Sequence, residues 1–226
     1  MQNLMRLKTR NLDIITEGDS TMDKNEVKGL TIEGFDFEKG AKIGEHLLGC
    51  FLVADNLNLS HLARADEKVI RRRLRKIALF HDIGKSNQAR KTGYNPIDSF
   101  LWLKENRDDF NDDMLYAVIS QGFTEWYLRG VDLGKKTIYN ECVYGLCLTD
   151  DAMMYLALLE YIDSITSEKG VICSIARREE CIKSKYGDSS REVVAFRLTQ
   201  DWLLEECTQY LSDTMIKDIL KYKNRI

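Results

Sequence analysis

The chain holds a single proline, Pro96, among 226 residues. That scarcity favours long uninterrupted helices. Net charge is nearly absent as well. The 33 Lys and Arg residues against 36 Asp and Glu leave −3, which gives no overall pull toward nucleic acid or membrane. A local basic patch is still compatible with that balance. The six cysteines are Cys50, Cys142, Cys147, Cys173, Cys181 and Cys207, and none forms a C-x-x-C pair, which argues against a zinc ribbon. Cys50, in Cys50-Phe51-Leu52, reads as a small buried hydrophobe. Free thiols in a reducing cytoplasm are expected. Met1 to Thr16 carries scattered charges without an apolar core, so no secretory signal is expected. No stretch approaches the roughly 20 apolar residues of a membrane helix.

What is present describes a helical protein. Hydrophobic residues make up 44%, enough for a sizeable core, and the length suits one large domain or one domain with appendages. Residues 1–37 stand apart. Arg6 to Thr16 alternates partially like a strand and Glu17-Gly18-Asp19-Ser20 is a turn signal, so a short β-hairpin or arm is expected there. Residues 38–226 are expected to form an all-α domain with C-terminal helices. Ile43, His46, Leu47, Cys50, Phe51 and Ala54 recur at three- and four-residue steps. A second helix is expected from Arg64 to Phe80, with Ile70, Leu74, Ile77 and Ala78 leading to His81, and Gly84 is a good place for it to end. Further helices are expected over Pro96–Glu105, Asp112–Arg129, Asp150–Glu168, Ile172–Lys185, Ser190–Cys207 and Leu211–Tyr222.

Histidine is also scarce: His46, His61 and His81 are the only three. Two of them fall on the inward stripes of expected helices, where an imidazole needs partners. Asp163 lies in the apolar run Leu158-Leu159-Glu160-Tyr161-Ile162-Asp163, and Asp82 adjoins His81. Taken singly, an inward histidine is most often a hydrogen-bonded core residue, and such an aspartate often caps a helix or pairs with arginine. Together, two imidazoles and two carboxylates on three helices describe a pocket that a divalent cation would satisfy.

The octapeptide Ala78-Leu79-Phe80-His81-Asp82-Ile83-Gly84-Lys85 closely resembles the core motif of the HD superfamily of metal-dependent phosphohydrolases. The family pattern runs H…HD…D. His46 in Gly44-Glu45-His46-Leu47 matches the first histidine, His81 and Asp82 the doublet, and Asp163 the distal aspartate. The resemblance covers roughly Phe37 to Glu168 and implies an HD-type helical bundle holding one divalent ion on His46, His81, Asp82 and Asp163. Mn, Fe, Co, Ni or Mg are the expected ions. Two-metal members carry further histidines between the doublet and the distal aspartate. None lies between Asp82 and Asp163 here, and Val118-Ile119-Ser120-Gln121-Gly122-Phe123 has Gln and Gly instead. The departure implies a mononuclear site or an inactive one. Nothing in its spacing recommends Glu125 as a substitute ligand.

The resemblance implies hydrolysis of a phosphate ester or anhydride, with a small nucleotide as the favoured substrate. An HD-type nuclease on DNA or RNA is the catalytic alternative. A non-catalytic scaffold that binds nucleotide or a protein is the other. In this reading Asp82 and Lys85 are the catalytic candidates, Lys85 as a phosphate contact. Equally, Lys85 is a solvated lysine favoured by a helix C-terminus. Arg71 and Arg75, in the run Arg71-Arg72-Arg73-Leu74-Arg75-Lys76, either reach a phosphate or form an ordinary solvated face. Arg177, Arg178, Lys183 and Lys185 read as surface that could add a positive rim. Ser164 and Thr166 either support the ligands or bond their own helix.

Overall fold

The computed structural model describes residues 43–62, 66–129 and 132–225. The arm or hairpin expected before residue 38 lies outside them. Among the described residues the fold is all-α, without a strand; one isolated bridge joins Thr166 and Ile172. Helix α1 is Ile43–Asn56 and α2 is Glu67–Phe80. They are followed by α3 (Asn95–Asn106), α4 (Asp112–Ser120), α5 (Thr124–Leu128) and α6 (Leu133–Tyr144). The rest of the chain forms α7 (Asp151–Ser164), α8 (Ile175–Tyr186), α9 (Arg191–Glu206) and α10 (Asp213–Lys223). No helix among the described residues is long and apolar enough to cross a membrane.

Short polar residues start these helices as capping chemistry requires. Asp66 accepts the backbone N–H of Val69 at 3.1 Å, Asn111 that of Met114 at 3.1 Å, and Ser174 that of Arg177 at 3.2 Å. Pro96 sits in the first turn of α3, where its missing N–H costs nothing. Helix α7 is buried on nearly every side, from Ala152 through Ile162. It is the axis of the domain, packed by α1, α2, α4 and α9. An all-round apolar helix is stable only in such a place.

Three local expectations are corrected. The segment expected as one helix over Asp112–Arg129 is broken by a 3₁₀ turn at Gln121–Phe123. Gly122 and Phe123 both lie in the left-handed region, with φ of 63° and 56°. Helix α6 escaped the periodicity because Tyr139 alone is buried on it, so it carries no apolar stripe. Gly84 does not end a helix: α2 stops at Phe80, and Gly84 lies in a 3₁₀ turn, Ile83–Lys85. Its smallness serves packing instead. A Cβ there would lie 2.6 Å from the Ser99 nitrogen and 2.9 Å from the Asp98 Cβ, inside α3. The same contact lets the Gly84 N–H reach Ser99 Oγ at 2.8 Å, docking the start of α3 beside His81 and Asp82.

Candidate metal centre

Four side chains converge where α1, α2 and α7 meet. His46 and Cys50 come from α1, one turn apart on the same face. His81 stands just past the end of α2, and Asp163 is in the last turn of α7. One donor atom from each lies within 4.8 Å of the others, and the group could hold a metal ion. His46, Cys50 and His81 are buried.

The imidazole bonding fixes which nitrogens face the cluster. His81 Nδ1 is 2.8 Å from the Ala78 carbonyl, which only accepts, so Nδ1 carries the proton. His81 is 1% exposed, and its Nε2 has no hydrogen-bond partner. Burial, with the charge of His46 adding to it, keeps the His81 pKa low against the pull of the Asp82 and Asp163 carboxylates. The ring is therefore neutral, with a bare lone pair on Nε2. His46 repeats the pattern: its Nδ1 donates to the Ser167 carbonyl at 3.1 Å. That carbonyl belongs to a loop clamped to α1 by two glycines, since a Cβ on Gly49 would lie 2.6 Å from the Gly170 carbonyl carbon. His46 Nε2 is 2.9 Å from Asp163 Oδ1, another acceptor, so without a cation this ring must carry both protons. Burial opposes that charge, but the Cys50 sulfur and the Asp163 carboxylate outweigh it and hold the His46 pKa well above its ordinary value. Anchoring of Nδ1 on a backbone carbonyl, leaving Nε2 for the ion, is how metal-ligating histidines are usually oriented.

Asp82 stands at the edge. Its Oδ2 is 3.9 Å from His81 Nε2, yet the carboxylate is bonded to the Lys85 ammonium and to the Asn95 amide. Burial pushes its pKa up, but Lys85, with the charge on His46, overcomes this and keeps it ionised. Asp163 is held ionised in the same way against its burial, mainly by Arg178, whose guanidinium is 3.1 Å from Oδ1. The structure thus brings His46, His81 and Asp163 together, sets Asp82 beside them, and adds Cys50 and Arg178. Cys50 read as a small hydrophobe. Its position four residues after His46 on one helix was the available signal. Arg178 read as surface, whereas its side chain is 12% exposed and points inward.

The other candidates fall outside. The basic run on α2 is tied down by ion pairs. Arg71 bonds Glu67, Arg75 pairs with Asp55, and Lys76 reaches Asp109 at 2.8 Å. His61 bonds the Tyr210 carbonyl at 2.9 Å in a loop. Ser164 Oγ accepts from Gln200 at 2.7 Å, and Thr166 bonds back to the Ile162 carbonyl. Glu125 pairs with Arg129 in the open. Arg177 pairs with Glu180, Lys183 with Glu179 and Lys185 with Glu168. The six cysteines are unpaired.

Two imidazoles, a carboxylate and a thiol make a mixed donor set that suits a transition metal; Mg²⁺ and Ca²⁺ favour oxygen alone. The partnerless His81 nitrogen fits such an ion, since a buried unsatisfied polar atom costs about 1–3 kcal/mol. Compared with protein-family models, curated proteins and solved structures, the chain has no match.

One turn before Asp163, Glu160 is 5% exposed and accepts the Gly122 N–H at 2.5 Å. Burial, reinforced by the Asp163 charge, pushes its carboxyl up to about 8, against the backbone N–H groups of Gly122 and Phe123. The folded chain thus binds this proton more tightly than the unfolded one. The group's contribution to stability is complete below its unfolded value of 4.5 and is lost as pH rises toward 8.

Two measurements follow from this geometry. Chelated and Co²⁺-reloaded protein should retain close to one equivalent after gel filtration, His61→Ala should match it, and His81→Ala and Asp163→Ala should retain almost none. Wild-type metal content in His81→Ala would sink the assignment. For Glu160, urea titrations at a series of pH values should show wild type losing on the order of a few kcal/mol relative to Glu160→Gln between pH 5 and 9. Parallel curves for the two proteins would mean that the carboxyl is already ionised at pH 5.

Proposed function

We propose that the chain is a metal-dependent phosphohydrolase of the HD type, acting on a phosphate ester or anhydride of a nucleotide. The observation that carries this reading is the buried lone pair of His81 Nε2, set against His46 and Asp163 with no partner of its own. It is supported by the order of those residues along the chain, which is that of the family pattern. His46, His81 and Asp163 would hold the ion, with Asp82 turning to it from Lys85. A divalent cation there supplies Lewis acidity to a phosphoryl oxygen and makes a coordinated water acidic near neutral pH.

The chain's own part is orientation and charge. The Ala78 and Ser167 carbonyls aim the two imidazoles. Gln121 Nε2 donates to the His81 carbonyl at 2.7 Å and braces the turn that carries the doublet. Lys85 is half exposed on its carboxylate, and Arg178 is largely enclosed with an unbonded Nε. If Asp82 and Asp163 held an ion, both cations would be released from their carboxylates. They would then be placed to stabilise charge growing on a phosphoryl group, where preorganised donors have most effect.

One observation favours the scaffold reading. Lys85 and Arg178 already neutralise Asp82 and Asp163, so neither carboxylate lacks a counter-charge. Phosphate release from nucleoside mono-, di- and triphosphates and a generic phosphodiester, with Mn²⁺, Co²⁺, Ni²⁺ or Mg²⁺, separates the two. Hydrolysis is expected with at least one transition metal. It should be abolished by Asp82→Ala and reduced on the order of 100-fold by Lys85→Ala, the scale of removing one charge-stabilising donor. Absence of release across the panel, with DNA and RNA also left intact, leaves the scaffold.

A further inference from the structure

A cavity of about 240 Å³ opens between α4, the Gln121–Phe123 turn, α5, α6, α7 and α9. Its walls include Phe123, Trp126, Tyr139 and Trp202, with Glu160 among them. We propose that this cavity binds a planar heteroaromatic ring of the nucleobase class, stacked among the aromatic side chains and recognised at its polar edge by Glu160.

Size sets the first limit. Pockets that take whole drug-sized ligands measure roughly 300–1,000 Å³, so this one admits a ring system and leaves a sugar outside. The walls set the second. Phe123 and Trp202 meet edge to face at 6.2 Å, and faces of this kind bind bases by stacking, whatever the base. Glu160 sets the third. A buried carboxyl in an aromatic wall is out of place unless it has polar partners. The backbone N–H groups of Gly122 and Phe123 hold it, and a carboxyl retains bonding capacity beyond those two. With its proton on, it offers a donor and an acceptor side by side, which matches a ring edge carrying N–H next to N or C=O. A hydrocarbon or simple phenol would leave that capacity unmatched. Of the other polar groups in the wall, Ser120 Oγ bonds Tyr139 at 3.2 Å, Thr124 Oγ1 donates to the Gln121 carbonyl at 2.6 Å, and Glu125 pairs with Arg129 at 2.6 Å.

The backbone supplies an independent observation. Phe123 is the one non-glycine residue with positive φ among the described residues. Left-handed backbone at a bulky residue is strained, and such strain concentrates at functional sites. Here it sets the aromatic ring in the cavity wall while both N–H groups of the turn face Glu160. The turn also carries Gln121, which braces His81, and Glu160 lies one turn from Asp163. The cavity and the metal centre therefore share one supporting segment, but ring binding does not require the metal-centre reading.

The test is calorimetric titration of the full chain with adenosine, guanosine, cytidine and uridine in the presence of EDTA. These probes lack phosphate and the chelator removes any ion, so the result is independent of the metal centre. Saturable binding of at least one nucleoside is expected. Phe123→Gly should weaken it tenfold or more; it keeps the left-handed backbone without strain, so folding is preserved even where Trp202→Ala fails to fold. Glu160→Gln should still bind but change the order of preference among the four. Absence of binding at several millimolar, or equal affinity in wild type and Phe123→Gly, overturns the proposal.

Discussion

The centre of this fold is organised around a lone pair that the chain does not satisfy. His81 Nε2 is enclosed, neutral and unbonded, while the same ring's Nδ1 is fixed by the Ala78 carbonyl. Folding could have removed the cost by turning a hydroxyl toward it. Instead, the groups that surround it are a second imidazole, a thiol and a carboxylate. Each of these is a metal donor, and each arrives from a helix whose inward residues are mostly apolar. An ion would satisfy that nitrogen, replace the proton shared by His46 and Asp163, and give the two carboxylates a stronger counter-charge than the side chains now provide.

Charge balance around the cluster follows the same logic. A buried carboxylate, Asp82, and a partly buried one, Asp163, lie close to one another, which neither would tolerate alone. Asp163 has Arg178 and the doubly protonated His46, and Asp82 has Lys85 and Asn95. This arrangement lets the helices pack without an ion and, were one to bind, would leave two cations available. Glu160, with no cation against it, stays protonated instead. Of three acidic residues within one region, two are thus held ionised and one protonated by their immediate neighbours.

Much of the helical layout was legible in the sequence because apolar stripes and caps are local signals. Ile43 to Ala54 and Ile70 to Ala78 marked α1 and α2 well, and Pro96 marked the start of α3 to within a residue. Helix α6 was not legible, because a helix lying largely in solvent has no stripe to read. The break at Gly122 and Phe123 was hidden too: a left-handed phenylalanine is held by a tertiary bond to Glu160, which lies far along the chain. His46, His81 and Asp163 were recognisable as polar residues on inward faces. Cys50 and Arg178 were not, since a cysteine on an apolar stripe and an arginine in a charged helix are both ordinary until the fold places Asp163 beside them. Asp82 was legible as a residue but not in its bonding, which depends on α3 docking across Gly84.

The most direct measurement of the central claim is an anomalous difference map from crystals of the full chain loaded with Mn²⁺ or Co²⁺. The expected map has one strong peak among His46, His81 and Asp163, within bonding distance of His81 Nε2, with the Ala78 carbonyl still on Nδ1. A map with no peak there, and with His81 Nε2 hydrogen-bonded to a protein group instead, would contradict it.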